Sequence, residues 1–349
     1  MKNLLFTSTL FLIVNFSFAQ TKIETDLTIK GKVSFFSESG YLLVEKFGEI
    51  EKGSLYSKHT YKYDVMGNKI EENGYNTDGS LGSNITYKYD DKGNMIEVNN
   101  YNGDGSLNLK TTYKYDEKGN KIMENSYKAD GSLSYESKYD VKGNMIEENQ
   151  YKANGSLSSK TKSKYDEKGN MIEKNQYNAD GSLSSKNTYK YDEKGNKIEE
   201  NRYNADGSLS SKNTYKYDVK GNMIEVNSYN GDGSLNLKTT YKYDEKGNKI
   251  EDNQYKADGS LSYESKYDEK GHKIEVNSYN HYGNLELKTT YKYDEGGNMI
   301  EENEYFADVS LPYKTTYKYE FDATGNWITL TVIVNDKPEY LTERVIEYY

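Results

Sequence analysis

The chain has no cysteine among its 349 residues, so no disulfide can brace it in any compartment. It has three histidines, His59, His272 and His281, too scattered for a metal-ligand spacing. It lacks a basic excess: 46 Lys and Arg face 56 Asp and Glu, which argues against a nucleic-acid backbone or an anionic membrane surface as partner. Beyond the first twenty residues no apolar run approaches spanning length, so no membrane insertion is expected of the mature chain. Phenylalanine and tryptophan are scarce, at nine and one.

What is present begins with Met1-Lys2-Asn3, then a nearly uncharged run to Phe18 and the small-residue site Ser17-Phe18-Ala19. This reads as a secretory signal over residues 1–19, cleaved before Gln20, with export to the periplasm, cell surface or exterior. The low mean hydropathy, −1.03, would suit a disordered chain. The 38 tyrosines argue otherwise, because they supply ample apolar area, and the expectation is that they carry the core.

Internal repetition organises the rest. One unit reads Tyr189-Lys190-Tyr191-Asp192-Glu193-Lys194-Gly195-Asn196-Lys197-Ile198-Glu199-Glu200-Asn201 and continues through Tyr203 and Asn204-Ala205-Asp206-Gly207-Ser208-Leu209. Its Asp recurs at 64, 90, 116, 140, 166, 192, 218, 244, 268 and 294, at spacings of 26 residues, or 24 on reaching Asp140 and Asp268. A degenerate copy ends at Asp322-Ala323-Thr324-Gly325-Asn326.

Asp-Glu-Lys-Gly and Asn-Ala-Asp-Gly share a logic: Asp or Asn first, two residues tolerant of the right-handed helical region, then Gly where φ is positive. Both predict a type I turn closed by a glycine bulge. Between them lie two alternating, strand-length stretches, and no helical periodicity appears. The fold expected is all-β: tandem hairpins in one long antiparallel meander.

Numbering parity sharpens this. From Tyr61 to Tyr319 every Tyr but Tyr282 is odd-numbered, every Leu from Leu55 to Leu311 is odd, and the Ile of Gly-Asn-x-Ile is even. Side chains alternate across a strand, so Tyr and Leu are expected together on one face. Tyr215 would then oppose Glu225, Tyr217 Met223 and Tyr229 Leu235, while Glu148, Glu200 and Glu302 would oppose Lys160, Lys212 and Lys314. A flat ribbon would expose far too much apolar surface, so the sheet is expected to curl with the Tyr/Leu face inward, as a tube, spiral or flattened sandwich.

Residues 20–54 lack the repeat and are read as N-terminal capping strands, 55–319 as the array, and 320–349 as a degenerate repeat with a capping hairpin around Asn335-Asp336-Lys337-Pro338. Val309 stands where a turn glycine belongs.

Tyr-Asp-x-x-Gly-Asn, an alternating strand, then Asp-Gly and a further Tyr-x-Tyr-Asp, over roughly residues 41–326, resembles the YD repeat of Rhs-type proteins. The resemblance implies a sheet that spirals into a shell and an association with carbohydrate binding or toxin encapsulation. The chain differs in showing no further C-terminal domain as cargo. It is also weakly similar to MORN-type hairpin repeats, without their recurring Gly-x-Gly.

No catalytic chemistry is legible. Glu71-Glu72, Glu147-Glu148 and Glu199-Glu200 invite an acid/base reading, but strand neighbours point to opposite faces and the pairs recur in most units. The Asp-x-x-Gly-Asn loops lack the clustered oxygens of a calcium loop. The serines have no partnered histidine. No catalytic, cofactor-binding or metal-ligating residue is expected. The function expected is that of an exported, non-catalytic binding scaffold at the cell envelope or outside it; the alternatives are a structural shell or protein-interaction component linked to a secreted toxin or envelope assembly and, ranked last, a hydrolase. The scaffold's partner would be a polysaccharide or an envelope or secreted protein.

Overall fold

The computed structural model describes residues 29–307 and 311–349; the signal segment and Val309 lie outside them. Those residues form 24 antiparallel strands, from β1 (Val33–Lys46) and β2 (Glu49–Tyr63) through β12 (Leu183–Tyr191), β13 (Lys197–Asn204), β14 (Leu209–Tyr217) and β15 (Met223–Asn230) to β23 (Trp327–Val334) and β24 (Lys337–Tyr348). Each strand pairs with its sequence neighbours, and β1 also pairs with β24, Phe36 opposite Ile346 and Ser37 opposite Val345. The meander therefore closes on itself as a barrel. The two segments expected as caps are strands of the same sheet, hydrogen-bonded to each other.

Both turns form as their residues dictate. Gly195 sits at φ 89° and donates to the Asp192 carbonyl at 3.1 Å, while Asp192 N donates to Asn196 O at 2.9 Å. The Asp192 side chain completes the loop, accepting Asn196 N at 2.8 Å and Asn196 Nδ2 at 2.9 Å. That is why Asn follows the glycine. In six such turns the lysine reaches to the next turn along the rim: Lys142 Nζ, for example, donates to Glu167 O at 2.7 Å, Lys168 to Glu193 O at 2.9 Å and Lys220 to Glu245 O at 2.6 Å.

The single Tyr/Leu face does not form, because the repeat strands carry bulges, the pairing of β21 (Met299–Phe306) with β22 (Tyr313–Phe321) excepted. Tyr217 opposes Met223 and Tyr229 opposes Leu235, as parity predicts. One residue further on, however, Tyr215 opposes Val226 rather than Glu225, and Lys216 opposes Glu225. In the same way Tyr191 opposes Lys197 but Lys190 opposes Glu199, leaving Ile198 as the extra residue. A second bulge at Ser210 separates the Tyr203–Leu209 pair from Arg202–Ser211. A bulge puts two residues against one and reverses the alternation beyond it.

Two bulges per unit restore the parity of the next unit while sorting residues within it. One face takes Tyr189, Tyr191, Lys197, Glu200 and Ser211; the other takes Ile198, Glu199, Asn201, Tyr203, Leu209 and Lys212. The tyrosines are thus split two to one between faces. The ion pairs shift with the register: Lys160, Lys212 and Lys314 meet Glu147, Glu199 and Glu301, not Glu148, Glu200 and Glu302.

The expected tyrosine core is likewise corrected. Among the described residues only Phe36, Val276 and Val334 are buried hydrophobics, and no tyrosine is. A sandwich would bury a layer of side chains between its sheets. A single-layered tube does not, and its tyrosines lie half-covered along the sheet.

The repeat length sets the tilt. From Lys197 to Tyr203 the chain descends six residue steps less one for the bulge, and from Leu209 to Tyr217 it climbs eight less one. Each 26-residue unit therefore climbs two residues across two strands. With a rise of ~3.3 Å and a strand spacing of ~4.8 Å, that slope is about 35°, the tilt a closed barrel requires. The 24-residue units lack this offset, since their ascending strand, Leu133–Tyr139, is two residues shorter.

Candidate functional site

On the face bearing the tyrosine pairs, Lys197 Nζ lies 5.7 Å from the Tyr189 ring centre, 4.8 Å from that of Tyr215 and 2.7 Å from Glu200 Oε2. The Tyr215 hydroxyl donates to the same carboxylate oxygen at 3.2 Å. The bulge at Ile198 makes this possible by bringing residues three apart onto one face. The arrangement recurs at Lys69 with Glu72, Lys121 with Glu124 and Lys249 with Asp252. Each lysine ammonium is held between two rings and a carboxylate, so the row is a series of filled cation sites. Burial pushes the Tyr61 phenol at the start of the row up to about 12.

On the opposite face seven of the ten units set a glutamate between two lysines. Glu199 meets Lys190 and Lys212, both at 2.7 Å, and accepts from Asn201 Nδ2 at 2.9 Å. These donors, Lys190 first, hold the Glu199 carboxyl down at about 2. The triplet repeats at Glu97, Glu173 and Glu225. Tyr203 and Leu209 flank it toward the Asn-Ala-Asp-Gly rim, and Ile198, 38% exposed, toward the other. Units recur every two strands, so like groups follow one another about 9.6 Å apart around the barrel.

The adjacent acids do point apart: Glu199 serves one face and Glu200 the other. His272 takes the place of the turn asparagine, with Nδ1 3.0 Å from Asp268 Oδ2 and its ring stacked 4.6 Å from that of Tyr293. His281 packs on its exposed neighbour Tyr282. Among the described residues no three His, Asp or Glu side chains converge as metal ligands would. Charged residues at mid-strand on both faces leave neither face with the continuous apolar band that a lipid-facing barrel presents.

At the seam, Arg344 donates to Glu38 at 2.8 Å, and its guanidinium stacks 3.2 Å over the Trp327 ring. Tyr348 donates to Asp322 at 2.7 Å, and the Tyr349 hydroxyl reaches the Tyr63 carbonyl. Sequence reasoning missed this latch; its signal was the lone Trp, just after the degenerate last turn, and an Arg in a strand without the repeat.

No protein-family model matches the chain, and no curated protein does. Among solved structures it is similar over 86% of its length to the TcdB2-TccC3-TEV chain, at 12% identity and a TM-score of 0.42, covering 18% of that chain. Against the Tc holotoxin pore of Photorhabdus luminescens the figures are 88%, 12% and 0.42, covering 19%. The chain thus spans about a fifth of those toxin chains. It is also similar over 90% of its length to a porin-like protein from Bacteroides uniformis, at 11% identity and a TM-score of 0.26, covering 98% of that protein. At such scores and identities these likenesses assign no activity.

Proposed function

We propose that the chain is an exported, non-catalytic scaffold that binds through the repeated chemistry of its Tyr203-bearing face, with a polysaccharide as the ligand class. The observation that carries this is the row of Tyr203-type rings at two-strand intervals, most of them beside a Lys–Glu–Lys triplet and a buried asparagine. A half-exposed ring offers a stacking surface for a sugar, and the flanking charges and amides offer hydrogen bonds to hydroxyls. Repetition suits a polymer better than a single small molecule, because many weak contacts act together.

The test is a glycan array with the mature chain and with Tyr101→Ala, Tyr203→Ala and Tyr229→Ala combined. Binding by the parent and its loss in the triple variant support the reading; no binding by a folded parent overturns it.

A second reading, a shell or protein-interaction component of a secreted toxin or envelope assembly, draws on closure itself. Twenty-four strands at ~4.8 Å give a circumference on the order of 115 Å, wide enough to surround a chain segment. It predicts a protein that co-purifies from the envelope or secreted fraction in place of glycan binding.

A further inference from the structure

The fourfold recurrence of a caged lysine makes one exception informative. In the tenth unit the two ring positions are kept as Tyr291 and Tyr317, and the acid is kept as Glu302, which lies opposite Tyr291 and accepts from the Tyr317 hydroxyl at 3.0 Å. The lysine position is Met299. Here walls and carboxylate match those around Lys197, yet no ammonium stands between them.

Neighbouring positions accentuate this. Glu304 lies on the same face two residues on, opposite Thr289 and Tyr313, where the other units carry Gly, Asn, Ser, Gln or Arg. Neither Glu302 nor Glu304 forms an ion pair with a Lys or Arg among the described residues, although Glu301 beside them is paired with both Lys292 and Lys314 on the other face. Elsewhere, where methionine replaces the lysine, the acid goes too: Met95 stands with Val98 and Met223 with Val226. Met145 does keep Glu148, but its flanking ring positions are Ser137 and Ser163, so no cage exists, and Gln150 donates to that carboxylate at 3.2 Å. Only the tenth unit combines both rings, an acid and no lysine.

We infer that Tyr291, Tyr317, Glu302 and Glu304 form a binding site for the ammonium head of a primary alkylamine from outside the chain. The chain's own cages set the chemistry, since each holds a lysine ammonium against two phenol rings and one carboxylate. The second carboxylate favours an amine over a neutral ligand, and Met299, flexible and unbranched, can swing aside to admit it. The amine could belong to a small diamine or to a lysine side chain of another protein. The site is confined to one unit and does not depend on the polysaccharide reading.

The experiment is isothermal titration of the mature protein with cadaverine and, separately, with Nα-acetyl-lysine amide. Binding of either supports the site, and which of the two binds distinguishes a small diamine from a protein lysine. Met299→Lys should rebuild the Lys197 arrangement and abolish binding without lowering the melting temperature. Val219→Lys, which adds the same charge at an exposed turn, should leave binding unchanged. Glu302→Gln with Glu304→Gln should weaken it at least tenfold. Failure of both amines to bind the folded parent, or equal binding by the Met299→Lys variant, overturns the inference.

Discussion

Lys197 donates to Glu200, three residues ahead in the same strand, at 2.7 Å. In a regular strand those side chains would lie on opposite faces. The bulged residue Ile198 puts them together, and six of the ten units carry matched pairs, Lys with Glu or Asp at 69/72, 121/124, 197/200 and 249/252 and Met with Val at 95/98 and 223/226; Met145/Glu148, Met171/Lys174, Lys273/Val276 and Met299/Glu302 depart from that pattern. Lys197→Met alone strands Glu200 and should cost about 1 kcal/mol, measured by urea unfolding. Adding Glu200→Val reproduces the Met223/Val226 unit and should recover most of that loss. A double variant no better than the single would mean that the two residues do not share a face.

The turn glycines are bound by conformation rather than by space. A Cβ on Gly195 would meet nothing within 4 Å, but φ there is 89°. Gly195→Val should therefore lower the melting temperature through backbone strain of about 1–3 kcal/mol, with the circular dichroism of the folded sheet unchanged at low temperature. An unaltered melting temperature would place that residue at negative φ.

Acid should unfold the barrel earlier than its surface suggests. Glu97, Glu173, Glu199 and Glu225 are held at about 2 in the folded chain, chiefly by their flanking lysines, against an ordinary value of 4.5. A depressed folded pKa contributes stability that is complete above the unfolded value and lost as pH falls through the folded one. Stability should thus decline between about pH 4.5 and 2. Tyr61 works at the other end: raised to about 12 from 10, it contributes stability below pH 10 that is lost toward pH 12. Melting temperature measured across pH should show a plateau between these limits, and a steady fall from pH 8 to 5 would contradict it.

The seam rests on few side chains. Arg344, 9% exposed at its side chain, pairs with Glu38 beneath the Trp327 stack. Arg344→Ala leaves Glu38 without its partner and should cost ~3 kcal/mol. Hydrogen exchange should show the loss as faster amide exchange in β1 and β24 than in β13 and β14. Uniform acceleration across all strands would mean that the seam is no weaker than the repeats.

Much of the architecture was legible because turn chemistry is local. Asp-x-x-Gly-Asn and Asn-x-Asp-Gly specify their hairpins within five residues, so antiparallel order and the first rung beyond each turn, such as Tyr217 with Met223, could be read directly. The bulges could not be read from alternation, since two slips per unit cancel and leave the long-range parity intact. A readable trace was the Lys-x-x-Glu/Asp or Met-x-x-Val pairing in six of the ten units, which alternation alone does not explain. Closure was beyond the repeat logic, because β1 and β24 carry none of its motif and their pairing spans nearly the whole chain. The caged ammonium sites, and the tenth one with Met299 in place of the lysine, became visible only once faces were sorted.

Closure can be tested with a pair of cysteines, for which a cysteine-free chain is well suited. Ser37 and Val345 stand directly opposite across the β1–β24 seam. The Ser37→Cys, Val345→Cys protein should form an intramolecular disulfide under mild oxidation, seen as a monomeric band that shifts on reduction and raises the melting temperature. Two free thiols persisting in folded, oxidised monomer would show that the sheet stays open, and the closed barrel would have to be abandoned.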